Sequence, residues 1–133
     1  MIHRRYFTSI KQALPYLELD SPVDKEINCE DGLITCLKFF DNSRTYHKFH
    51  NKERIIYFVG YAVRQNNGHP VSNHIFYNQH MFLKSWKLQI RIPVIKELKT
   101  GEIVLLGYYK IDDYEKRVSN EGFSYFVFKL MRT

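Results

Sequence analysis

A chain of 133 residues with 44% hydrophobic and 26% charged residues, and only ten Gly plus Pro, has the make-up of one compact domain; that balance excludes a disordered tail, a collagen-like repeat and a loop-dominated scaffold. Ten Tyr and ten Phe bring aromatics to 16%, a density that favours strands over a helical bundle. Twenty Lys and Arg against 14 Asp and Glu give +6, which admits an anionic partner.

Taken in chain order, Thr8 or Ser9 is placed to cap a short helix running to about Leu17. Ile10, Ala13, Leu14 and Leu17 share its apolar face, and Pro15 perturbs its interior. Residues 20–31 are polar, contain Ser21-Pro22 and read as a connection, before a strand-like run over 33–40. Residues 41–54 are polar again. The run IIYFVGYAV at 55–63 is continuously apolar and rich in β-branched and aromatic residues, which predicts a strand buried on both faces and central in a sheet. Asn66-Asn67-Gly68 is a turn signal, but the next apolar run, 74–77, begins beyond Pro70, so a loop is expected there. Residues 78–88 suit one or two helical turns. Strands are expected over 89–98 and 102–111, joined at Lys99-Thr100-Gly101, and over 123–131 after a turn at 119–122. Five or so strands with one or two short helices predict an α+β, β-rich domain built as a small, twisted, partly closed barrel.

The beginning of the chain has no apolar run followed by a small-residue cleavage site, and no stretch approaches 18 apolar residues, so a soluble cytoplasmic protein without membrane attachment is expected. Two cysteines, Cys29 and Cys36, are too few for a disulfide framework and are expected as thiols.

Charge is distributed unevenly. From Arg54 through Lys96 there is no Asp or Glu, while Arg54, Arg64, Lys84, Lys87, Arg91 and Lys96 supply six positive charges, the whole net charge of the chain. The same segment holds Tyr57, Phe58, Tyr61, Phe76, Tyr77, Phe82 and Trp86. Cations that neutralise phosphates thus alternate with rings that can stack on bases; the same pattern also arises when rings fill a core beneath a solvated basic surface.

Two other constellations contain atoms suited to metal binding or catalysis. Cys29, Cys36, His47 and His50 include zinc-ligating atoms, but six residues separate the cysteines where a zinc knuckle has two to four, and Cys36 falls inside an apolar run. Asp112, Asp113 and Glu115 are close in sequence without metal-site spacing, and there is no nucleophile elbow, phosphate loop or HExxH motif. No metal, cofactor or intrinsic enzyme activity is expected.

In the C-terminal third, Gly107-Tyr108-Tyr109-Lys110-Ile111-Asp112-Asp113-Tyr114, a charged gap, and the run from Gly122-Phe123 through Val127-Phe128-Lys129-Leu130 to Arg132 stand in order. This block resembles the signature of the SRA (SET- and RING-associated, or YDG) domain, whose strands read Gly-x-Tyr-Lys/Arg-Val-x-x-Tyr and Gly-Phe-x-Val-x-Lys/Arg-Phe-x-Leu-x-Arg. Upstream, Ile90-Arg91-Ile92-Pro93-Val94-Ile95 resembles its Pro-Val-Arg-Val-Ile strand, Asn78-Gln79 the start of the preceding helix, and Gly60-Tyr61 its Gly-Tyr. The pieces keep their order across about 55–132, an SRA-like core within one domain of 1–133; residues 1–52 match no motif. Leu105-Leu106 stand where the family has Tyr-Asp, and Arg64, Gln65 and Asn66 replace the acidic residues that follow its Gly-Tyr.

The resemblance implies a PUA-like barrel that flips a modified cytosine, 5-methyl or 5-hydroxymethyl, out of duplex DNA and holds it between two rings. Flipping costs a few kcal/mol of stacking and pairing that the pocket must return. By the match, Tyr61 is one ring and Phe76 or Tyr77 the other. Arg64, Gln65, Asn66 and Asn67 are the candidates for filling the vacated gap or reading base edges, and Lys84, Lys87, Arg91 and Lys96 for phosphate contacts. The expected role is a reader or the specificity domain of a modification-dependent restriction system, with cleavage left to a nuclease or ATPase partner. Two alternatives stay open: a basic structural protein that coats RNA or acidic membrane surfaces without reading bases, and a small metal-dependent nuclease.

Overall fold

The computed structural model describes residues 5–20, 22–40, 47–60, 79–118, 120, 122 and 124–133. These form eight strands and two helices, which accords with the α+β, β-rich expectation but exceeds its strand count. The chain divides into two compact units: residues 1–43, 91–109 and 133, and residues 44–90 and 110–132.

In the first unit, β1 (Tyr6–Phe7) leads into α1 (Ile10–Tyr16). Ser9 is the N-cap: its Oγ accepts from the Gln12 N–H at 3.2 Å, which satisfies a first-turn donor, while Gln12 Oε1 reaches back to accept from the Thr8 N–H just before the cap at 2.8 Å. Pro15 lies in the last turn, where the helix is about to end, and Glu18 at φ 58 closes it. The stretch 20–31 is more than the connection its polarity predicts: Ile27–Glu30 is β2, paired with β3 (Leu33–Phe40) through a two-residue turn, Asp31 (φ 54) and Gly32 (φ 78). β3 continues parallel to β6 (Ile92–Glu97), and β6 pairs antiparallel with β7 (Ile103–Val118), of which residues 103–109 belong to this unit. β1 completes the ladder on β7, Tyr6 opposite Val104.

The register of β6 and β7 shifts between Val94, opposite Gly107, and Ile95, opposite Leu105. Gly107 takes φ 145 there, a conformation that side chains resist, so the glycine of the motif answers a bulge. Phe7, Ala13, Leu17, Val23, Cys36, Ile95, Ile103 and Leu105 form this unit's core.

In the second unit, β4 (Lys48–His50) and β5 (Ile55–Gly60) form a hairpin, and β5 pairs antiparallel with β8 (Ser124–Arg132). β8 borders β7, so the strand order among the described residues is β2-β3-β6-β7-β8-β5-β4 with β1 on β7. In this order β2 and β4 are the ends and do not pair with each other. β5 is therefore second from one end rather than central, although it has a neighbour on each edge.

α2 (Gln79–Lys87) spans most of the expected helical turns and buries Phe82 and Ser85. The Phe82 ring lies 5.1 Å from Phe58 and 4.4 Å from Phe128, centroid to centroid. His47, on the approach to β4, stacks on Phe58 at 4.0 Å and accepts the Val59 N–H on Nδ1 at 2.9 Å.

Candidate nucleic-acid interface

The acid-free segment supplies β5, α2 and β6, and its rings divide by depth. Phe58 and Phe82 are fully buried in the second unit, so these two serve packing; Tyr57 and Trp86 are half-buried. Trp86 Nε1 donates to the Asp112 carbonyl at 3.1 Å, and its ring meets Tyr114 edge-on at 5.2 Å. The pocket candidates Tyr61, Phe76 and Tyr77, and the loop candidates Arg64, Gln65, Asn66 and Asn67, lie outside the described residues.

The four phosphate candidates fall on two structural settings. Lys84 and Lys87 belong to the last turn of α2, one turn apart on one side of the helix, where cations also complement the negative end of the helix dipole. α2 ends where Gln89 turns to φ 51 and its Nε2 donates to the carbonyls of Trp86 at 2.8 Å and Ile111 at 3.1 Å. Arg91 and Lys96 belong to the first unit. Arg91 is exposed, but its guanidinium lies over the Tyr108 ring, 4.9 Å from the centroid, and its Nε donates to Thr133 Oγ1 at 3.1 Å. Burial raises the Tyr108 hydroxyl pKa above its ordinary value; Arg91 opposes that shift, while Tyr16, Glu18 and Cys36 add to it. Lys96 is half-buried on β6, opposite Val104.

The groups that carry metal-ligating atoms have other contacts. Cys36 is buried, and that burial pushes its thiol up to about 12 against the opposing effect of Lys38. His47 Nδ1 accepts from Val59, and the His50 ring packs edge-on against Tyr57 at 5.2 Å. On β7, Asp112 pairs with Lys129 at 3.6 Å, Asp113 Oδ1 accepts from the Tyr114 N–H at 2.8 Å, and Glu115 pairs with Arg117. Among the described residues no group of three or more His, Cys, Asp or Glu is placed to hold a metal ion. Asp113 and Glu115 do line a shallow depression of about 120 Å³ with Tyr57, Tyr114, Val127 and Lys129. No described helix is long and apolar enough to cross a membrane.

A further basic group lies outside the motifs of the sequence. Lys48, His50 and Lys52 immediately precede the acid-free segment and are exposed on the β4–β5 hairpin. Their signal is compositional, since from Lys48 to Lys96 the only acid is Glu53.

No protein-family profile matches the chain. No curated protein matches it. Solved structures do. The SUVH5 SRA domain in complex with hemi-methylated CG DNA is similar with a TM-score of 0.69 at 18% identity, over 96% of this chain and 84% of that one. The same domain bound to fully hydroxymethylated CG DNA gives a TM-score of 0.66 at 17% identity, covering 96% and 85%. KRYPTONITE in complex with mCHH DNA, an H3(1-15) peptide and SAH gives 0.71 at 10% identity, over 96% of this chain and 31% of that one. The chain therefore has the SRA fold, and the likeness reaches well before residue 55, into a part of the sequence that carries no motif of that family.

Proposed function

We propose that this chain binds duplex DNA containing modified cytosine and reads the base by flipping it into an aromatic pocket. The observation that carries this reading is the SRA fold over 96% of the chain, in structures whose SUVH5 SRA domain holds hemi-methylated and hydroxymethylated CG DNA. The acid-free segment supports it independently, because α2 places Lys84 and Lys87 together in its last turn while it turns Phe82 inward.

In this proposal Tyr61 and either Phe76 or Tyr77 stack on the flipped base, and Arg64, Gln65, Asn66 and Asn67 fill the gap or read base edges. Lys84, Lys87, Arg91 and Lys96 contact phosphates, which set affinity and register but carry no sequence information. The chain reads and a partner cuts: as the specificity part of a modification-dependent restriction system it would act with a nuclease or ATPase.

Competition binding among matched duplexes with cytosine, 5-methylcytosine or 5-hydroxymethylcytosine tests the proposal. A modified duplex should compete best, and Tyr61→Ala should cost about 1–3 kcal/mol on it, the range for removing one stacking ring. Equal competition by all three duplexes would overturn base reading. Equal affinity for RNA would point instead to a coat protein without base readout.

A further inference from the structure

We infer that the β4–β5 hairpin is a second contact for the DNA backbone, separate from α2; this rests on the DNA-binding reading above but not on base flipping. Lys48, His50, Lys52 and Arg54 are all exposed within seven residues. Lys48 pairs with Tyr57 across the ladder, and His50 with Ile55, so the side chains of Lys48 and His50 leave the same face of the hairpin. Lys52 and Arg54 extend the series around the turn. Among the described residues no ion pair engages Lys48, Lys52 or Arg54. Lys129, on the next strand, is by contrast already paired with Asp112.

The turn holds these cations on a fixed backbone. Asn51, Lys52 and Glu53 are three consecutive non-glycine residues at φ 54, 54 and 67, a left-handed run that side chains disfavour. Three hydrogen bonds hold it: the Arg54 N–H donates to the Asn51 carbonyl at 3.1 Å, Arg132 Nη2 to the Lys52 carbonyl at 3.3 Å, and the Arg132 N–H to the Arg54 carbonyl at 2.8 Å. Cations on a backbone already ordered lose less freedom on binding than cations on a loose loop. A polyanion with closely spaced charges suits such a row, and duplex DNA carries one phosphate per roughly 3.4 Å on each strand. The hairpin is also continuous in sequence with the acid-free segment that begins at Arg54.

The test is the full chain carrying K48Q/K52Q/R54Q, titrated on modified and unmodified duplexes at several salt concentrations. Removing one phosphate-binding cation should lower the slope of log K against log salt by about 0.9, so between about 50 and 200 mM salt the wild-type affinity should fall about 40-fold further than the variant's. Both duplexes should weaken by the same factor, and K48R/K52R should keep the wild-type slope. Should the triple variant not fold, Lys52→Gln at the exposed tip alone should remove about one unit. A slope unchanged in a folded variant overturns the inference. The modified-to-unmodified ratio separates the two readings: a ratio of one with a reduced slope removes base reading and keeps the hairpin, whereas a preserved ratio with an unchanged slope does the reverse.

Discussion

Phe82→Ala is expected to destabilise the second unit strongly without abolishing its fold. The ring is fully buried between Phe58, 5.1 Å away, and Phe128, 4.4 Å away. Burial of a Phe side chain contributes about 1.5–3 kcal/mol, and each ring pair adds about 0.5–1.5 kcal/mol. With the residual cavity the cost comes to about 4 kcal/mol, the middle of the range for such truncations. α2 has nine residues, too few to persist alone, so its docking depends on this ring. Urea unfolding of Phe82→Ala should show a lower midpoint with unchanged slope, and Phe82→Leu, which keeps apolar burial but forfeits both ring pairs, should recover only part of the loss. A loss below about 1.5 kcal/mol for Phe82→Ala would refute the account of how α2 is held, since burial alone supplies that much.

Three further outcomes follow from particular residues. Gly107→Ala should destabilise the fold by about 1–3 kcal/mol in urea unfolding, because φ 145 at the bulge suits glycine alone; a neutral variant would mean that the bulge relaxes. Cys36, held near 12 against an ordinary 9.0, resists forming its thiolate when folded, so its contribution is intact below about pH 9 and is lost as pH rises toward 12, at up to about 1.4 kcal/mol per pH unit. Stability profiles of wild type and Cys36→Ala should converge over that interval, and parallel profiles would contradict the effect. K84Q/K87Q should reduce the salt slope by about two and weaken modified and unmodified duplexes alike; an unchanged slope would take α2 away from the DNA.

Elements with strong local chemistry are legible in the sequence. The Ser9 cap, the β3 run, the helix after Asn78 and the turn at Lys99-Thr100-Gly101 follow from capping, periodicity and breakers. β2 is not, because its residues Ile27-Asn28-Cys29-Glu30 show no clean alternation; the usable signal is Asp31-Gly32, whose two left-handed positions make a two-residue hairpin turn. β4 is three exposed residues and exists through its pairing with β5. β7 runs to Val118, well past the expected end at Ile111, because the neighbouring β8 carries the ladder through exposed, charged residues. Pairing of this kind is non-local, and no window of sequence contains it. The phosphate candidates are legible as charge, but charge has no period, so their division between α2 and the other unit is not.

Depth separates the two roles that the aromatic, basic segment mixes in sequence. A ring cannot both fill a core and stack on an incoming base without vacating the core, and vacating Phe82 alone costs about 4 kcal/mol, more than the roughly 1–3 kcal/mol that stacking one base returns. Phe58 and Phe82, each fully buried and in ring contact, are thus excluded as base partners on energetic grounds. The half-buried Trp86 is held by its bond to the Asp112 carbonyl and its contact with Tyr114, which fix the ring against β7. Tyr57 is likewise held edge-on by His50. In the proposed reading, base stacking falls to Tyr61 and either Phe76 or Tyr77, the rings that the resemblance to the SRA motifs assigns to it; they lie outside the described residues.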